Sequence, residues 1–224
     1  MIILKNITKS YKARFGNRLV LNNISLTINP GEKIGILGRN GAGKSTLLRI
    51  IAGTEKSTSG IVQRNMTVSW PMGISGGLQG TLSGIDNVKF ICRIYGLEIA
   101  EKIKLIEEIT ELGKYLREPV ATYSSGMRTK LALALSVILD FDCYLIDESL
   151  SLGDKNFQER YRLELKKKRE ESAIVLVSHI ESQIKELTRT IYVLNKGSIR
   201  KFAYPNNAIA FYHGLINENK MELG

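Results

Sequence analysis

The chain has 224 residues, 43% hydrophobic and 24% charged, proportions that exclude a disordered, fibrous or membrane-embedded protein and predict one well-packed domain over residues 1–224. Its formal charge of +10 admits nucleic acid, an anionic membrane surface or a small anionic ligand as partner, without choosing among them. With no run of about 18 apolar residues and no cleavable leader pattern at the start, the expectation is a soluble protein that stays in the cytoplasm.

In chain order, Leu19 to Ile28 alternates apolar and polar residues over its second half, and Lys33 to Leu37 is a short apolar run; both predict strands. Leu47, Leu48, Ile50 and Ile51 then recur at helical spacing as far as Gly53, a C-terminal stop. From Ile85 to Arg128 the helical signal dominates. Ile99, Ile103, Ile106 and Ile109 form one face, and Glu101, Lys102, Lys104, Glu107 and Glu108 another. Met127 to Phe141 is apolar nearly all round, which predicts a deeply buried helix leading into a core strand at Cys143 to Asp147. The run Lys166 to Arg169 is followed by Glu170 and Glu171 and reads as a solvated helix face rather than a nucleic-acid patch. Ala173 to Val177 predicts a parallel strand covered on both faces. Thr190 to Ala203 predicts a hairpin turning at Asn195-Lys196-Gly197, and Ala208 to Ile216 a short terminal helix. Cys92 and Cys143 lie in apolar surroundings without metal-ligand neighbours and predict buried, reduced thiols.

The chemistry begins at Gly38-Arg39-Asn40-Gly41-Ala42-Gly43-Lys44-Ser45-Thr46, which has the spacing GxxxxGKS between a predicted strand and a predicted helix. Glycines let such a backbone curl until several N–H groups point inward, and the helix adds its positive end, so the segment suits phosphate groups. Lys44 is placed to bridge a β- and a γ-phosphate, and the Ser45 hydroxyl to meet Mg²⁺. The second feature is Asp147-Glu148 at the carboxyl end of a core strand, where ligands bind in such sheets. Asp147 is expected to hold Mg²⁺ through water, and Glu148 to orient or deprotonate the water that attacks the γ-phosphate.

The phosphate loop is followed in order by Gly76-Gly77-Leu78-Gln79-Gly80, Tyr123-Ser124-Ser125-Gly126-Met127, Leu145-Ile146-Asp147-Glu148 and Ser178-His179. This succession resembles the nucleotide-binding domain of ABC transporters over almost the whole chain. A narrower match rests on Ser69-Trp70-Pro71, the stretch Gly76 to Gly84, Tyr123 to Arg128, and Gly153-Asp154. It is similar to the subfamily that exports capsular polysaccharides and related glycans, with O-antigen and teichoic acid exporters as neighbours.

The resemblance implies an α/β P-loop NTPase fold: a mostly parallel core sheet, an antiparallel β subdomain and a helical subdomain inserted at about 79–139. It implies an ATPase using ATP and Mg²⁺. Its expected partners are a second copy of itself, with ATP at the interface, and an integral membrane permease that handles the glycan, while nucleic acid is not an expected partner. The chain would then lie at the cytoplasmic face of the cytoplasmic membrane. Ser124 and Gly126 match the signature motif that touches the γ-phosphate held by the opposite copy, although Tyr123, Ser125 and Met127 depart from the common LSGGQ. Gln79 matches the glutamine that senses Mg²⁺ and water near the permease, and His179 the histidine that contacts the γ-phosphate. Asp154 matches the aspartate of a loop exchanged between copies. Tyr11 aligns with the aromatic residue that stacks on adenine, with Phe15 as the alternative platform.

Overall fold

The computed structural model describes residues 1–14, 16–71, 77–147, 154–178 and 180–221. In chain order its elements are β1 (Ile2–Ala13), β2 (Gly16–Ile28), β3 (Lys33–Leu37), α1 (Lys44–Ala52), β4 (Ser59–Arg64), α2 (Gly84–Tyr95), α3 (Ile99–Thr110) and α4 (Ser125–Ile138). There follow β5 (Cys143–Asp147), α5 (Lys155–Arg169), β6 (Ala173–Val177), α6 (Glu181–Leu187), β7 (Thr190–Asn195), β8 (Ser198–Phe202) and α7 (Pro205–Met221). They form two compact units, one of Met1–Pro71 with the segments around β5 and from β6 onward, the other built on α2 to α5.

The first unit holds two sheets. An antiparallel sheet runs in the order β2-β1-β4, and a five-stranded sheet in the order β5-β6-β3-β7-β8. The first four strands of the larger sheet are parallel and β8 returns antiparallel to β7. Every residue of β6 is buried, as its unbroken apolar sequence requires of a strand covered on both faces. Ile2, Leu4 and Ile7 of β1, Ile34 and Ile36 of β3, and Leu47 and Leu48 of α1 share one core. The hairpin β7–β8 turns at Lys196 and Gly197, both at positive φ, as a tight two-residue connection demands.

Two strands go beyond the sequence reading. In β1 the buried residues are Ile2, Leu4 and Ile7, and the two-residue alternation slips at Asn6, which has φ 53°. The partner strand slips at Asn23, also at φ 53°, and the register shifts between Leu4 and Ile7. A bulge of this kind hides a strand from any search for strict alternation. β4 escapes because it contributes almost nothing to the core. The terminal helix is longer than the apolar spacing indicates, starting at Pro205, a residue suited to a first helical turn.

In the second unit α3 buries Ile106 and Ile109 while Ile99 and Ile103 are half-buried, and α4 is buried continuously from Leu131 to Ile138. Phe157 and Tyr161 of α5 stack with ring centroids 5.8 Å apart, and Arg160 pairs with Glu111 at the end of α3 at 2.5 Å. Cys92 here and Cys143 in the first unit are buried free thiols. Among the described residues no helix is long and apolar enough to cross a membrane.

Candidate functional site

The loop after β3 is shaped by backbone contact. A Cβ at Gly38 would lie 2.6 Å from the Leu194 carbonyl oxygen, and one at Gly43 would lie 3.0 Å from the Val20 carbonyl oxygen. Gly43 also has φ 105°, which L side chains rarely adopt, so glycine is required there on both counts. Between them Ala42 N–H donates to the Arg39 carbonyl at 3.1 Å, closing the turn. The N-terminus of α1 opens at this point with no side-chain cap and no acidic residue in its first turn. Its free N–H groups and positive dipole end therefore face an anion-binding position.

Lys44 is buried, and its ammonium donates to the Gly38 carbonyl at 2.7 Å and the Arg39 carbonyl at 3.2 Å. It folds back over the loop it belongs to. Ser45 Oγ donates to Asp147 Oδ2 at 3.1 Å, joining the loop to the end of β5. Asn40, Gly41, Gly43, Lys44, Ser45, Thr46 and Asp147 line one cavity of about 670 Å³, together with Tyr11, Lys12, Arg18 and Arg49. Its wall is cationic at several points, which suits a polyanionic ligand. A hydroxyl oxygen and a carboxylate in contact are hard donors of the kind Mg²⁺ takes. Among the described residues there is no group of three or more His, Cys, Asp or Glu that could hold a metal.

Tyr11 of β1 also lines this cavity. Its hydroxyl donates to Glu55 Oε1 at 2.5 Å and lies 3.3 Å from Thr46 Oγ1, and the Lys9 ammonium sits 4.8 Å from its ring centroid. Glu55 also pairs with Lys9 at 2.9 Å and with Arg49 at 2.8 Å. Burial opposes its charged form, but hydrogen bonds from Lys9, Tyr11 and Arg49 outweigh it and hold the carboxyl at about 2. Lys9, Arg49 and Glu55 carry no signal in the sequence, because no local period links positions 9, 49 and 55.

Four other expected residues lie in the second unit. Ser124 is the N-cap of α4, its hydroxyl accepting from Met127 N–H at 3.2 Å, and Ser124, Ser125 and Gly126 are exposed. Tyr123, where the common motif has leucine, is buried and donates to the Tyr115 carbonyl at 2.6 Å. Gln79 is exposed, and its backbone is held by Asn87. Its loop lies beside the approach to α4, Ala121 N–H donating to the Gly80 carbonyl at 2.8 Å. Asp154 caps α5 through Phe157 N–H at 3.0 Å and pairs with Lys130. That lysine first, and the capped N–H second, hold its carboxyl at about 2.

The structure thus gathers Tyr11, Gly38 to Thr46 and Asp147 in one unit, with Gln79, Ser124, Gly126 and Asp154 in the other. Glu148, His179, Phe15, Gly76 and Gly153 lie outside the described residues. Ser69 of the narrower motif is buried, and its hydroxyl accepts Leu145 N–H at 2.9 Å. Its visible work is to cover the flank of β5.

A family model described as ABC transporter matches residues 21–151. The chain is 48% identical over 215 residues to the capsule polysaccharide export ATP-binding protein CtrD of Neisseria meningitidis, covering 96% of this chain and 100% of that one. It is 46% identical over 213 residues to the ATP-binding protein BexA of Haemophilus influenzae, covering 95% and 98%. Among solved structures, the post-hydrolysis dimer of the ATP-binding cassette MJ0796 with ADP and Pi superposes with a TM-score of 0.77 at 23% identity, covering 91% of this chain and 98% of that one. That last likeness is one of fold.

Proposed function

The chain belongs to the ABC transporter family, and from that premise we propose that it is the ATP-hydrolysing subunit of an exporter of capsular polysaccharide, residues 1–224 acting as one ABC ATP-binding domain. The observation that carries the ATPase reading is the Ser45–Asp147 contact at 3.1 Å on the wall of the cavity that the phosphate loop encloses. It brings a metal-binding oxygen pair to the place where loop N–H groups and Lys44 meet a triphosphate. The choice of cargo is supported by near full-length similarity to a relative named for capsule polysaccharide export.

In this reading Gly38 to Thr46 wrap the phosphates, and Lys44 exchanges the Gly38 and Arg39 carbonyls for phosphate oxygens. Ser45, Asp147 and Gln79 would hold Mg²⁺, which when bound neutralises charge on the β- and γ-phosphate oxygens. Glu148 orients the attacking water and His179 steadies it. Tyr11 stacks on adenine. Ser124 and Gly126, at the exposed start of α4, offer N–H groups and a hydroxyl to the γ-phosphate of a second copy, with Asp154 close to that interface. The homodimer works at the cytoplasmic face of the membrane, and Gln79 passes its closure to an integral membrane permease that handles the glycan.

The test is ATPase activity of the purified chain beside Glu148→Gln, with oligomeric state measured with and without Mg-ATP. Turnover should fall about 10²- to 10⁴-fold, the range for a positioned acid–base group, and an ATP-dependent dimer should accumulate in the variant. Equal turnover in the two proteins would remove Glu148 from the mechanism. For the cargo, cells lacking the chain should retain capsular polymer inside; normal surface capsule would refute that choice.

A further inference from the structure

We propose that Glu55 is a positioning residue for the nucleotide: by accepting the Tyr11 hydroxyl it fixes the tyrosine ring as a platform for the base. The proposal rests on the ATP-binding reading above and extends it to a residue outside the loop motif.

Both carboxylate oxygens of Glu55 are committed. Oε1 receives the Tyr11 hydroxyl at 2.5 Å and Lys9 at 2.9 Å, and Oε2 receives Arg49 Nε at 2.8 Å. The side chain is only 15% exposed, so these partners, rather than water, satisfy it. The Tyr11 hydroxyl is met from a second side by Arg49 Nη2 at 3.3 Å and by Thr46 Oγ1 at 3.3 Å. A phenol held by an acceptor, a donor and a hydroxyl has one rotamer, whereas a tyrosine near a hairpin tip without those contacts would swing. The Lys9 ammonium lies over one ring face, 4.8 Å from the centroid, so a base would stack on the other. Thr46 and Arg49 belong to α1, the helix whose N-terminus receives the phosphates, and both line the same cavity as Tyr11. Glu55 therefore fixes the span between the base platform and the phosphate end, a preorganisation that lowers the ordering cost of binding.

The experiment is displacement of a fluorescent ATP analogue from the full chain by ATP and, separately, by inorganic tripolyphosphate, which has no base. Glu55→Ala and Tyr11→Phe should each weaken ATP about five- to tenfold, the scale of one hydrogen bond, and leave tripolyphosphate binding unchanged. The double variant should be no weaker than either single one. Glu55→Gln should keep most of the ATP affinity, since an amide oxygen still accepts from Tyr11. Unchanged ATP affinity in Tyr11→Phe, an equal loss for tripolyphosphate, or losses that add in the double variant would each overturn the proposal. Tyr11→Phe removes a single oxygen and keeps the test open should Glu55→Ala fold poorly. Failure of the unsubstituted chain to bind either ligand would instead refute the ATP-binding reading on which the proposal stands.

Discussion

The side chain of Asn87 holds the backbone of Gln79 from both sides, accepting its N–H at 2.8 Å and donating to its carbonyl at 3.1 Å. The same amide donates to the Ser83 carbonyl at 2.9 Å, and Asn87 is buried in the first turn of a helix capped by Ser83. An exposed glutamine is thereby mounted on a rigid base. Asn87→Ala should lower stability by about 1–2 kcal/mol, since the two Gln79 groups can turn to water while the buried end cannot. Urea denaturation measures this, and ATPase titrated with Mg²⁺ should show a raised requirement for the ion if Gln79 acts on it. A stability loss alone would confine Asn87 to folding.

Gly84 and Tyr123 share one space. A Cβ at position 84 would lie 2.4 Å from the Tyr123 hydroxyl oxygen and 3.0 Å from Leu116 Cδ2. Gly84→Ala should therefore destabilise the chain by about 1–3 kcal/mol, the range for overpacking. Adding Tyr123→Phe removes the closer clash, and thermal unfolding of the double variant should recover part of the loss.

Glu55 predicts a dependence on acid. Its carboxyl is depressed from 4.5 to about 2 in the folded chain, so its contribution is complete above the unfolded value and disappears as pH falls through the folded one. The groups that face it are Lys9, Arg49 and the Tyr11 hydroxyl. Between pH 5 and about 2, the unsubstituted chain should lose more stability than Glu55→Gln, and chemical denaturation across that range reads the difference. Parallel curves would show that the cluster contributes nothing through charge.

Cys143 is fully buried, and burial pushes its thiol up to about 12. Cys92 is equally inaccessible, its thiol also raised by burial. A thiol-specific reagent at pH 8 should label neither position in the native chain and both after denaturation. Fast native labelling would contradict the packing of β5.

What the sequence made legible follows from how local each signal is. Gly38 to Thr46 is contiguous, and β5 and β6 are unbroken apolar runs, so loop and core strands could be read directly. β1 could not, because the turn at Asn6 displaces Ile7 from the phase of Ile2 and Leu4. The seven residues of α6 bury only Ile184, too few for a period. At the site, Tyr11 is legible only through resemblance. Glu55 follows the helix stop at Gly53 as an unremarkable acid, and only tertiary contact shows what it holds. Asn87 left one faint signal, a polar side chain beside the apolar Val88 in a half-apolar helix, and its burial is what gives that signal meaning.

The Val20 carbonyl lies close under Gly43 and also under Gly197, where an added Cβ would meet it at 2.9 Å, and Asn22 N–H donates to the Gly197 carbonyl at 2.8 Å. The strand that launches the phosphate loop, β3, has as its neighbours β6 and β7, both near the other end of the chain. During synthesis, an emerging polypeptide that has just extruded its loop thus lacks the flanking strands and the hairpin turn that brace it. The loop's supports are therefore non-local, and a chain cut before Gly197 is expected to bind ATP more weakly than the full chain in the same displacement assay.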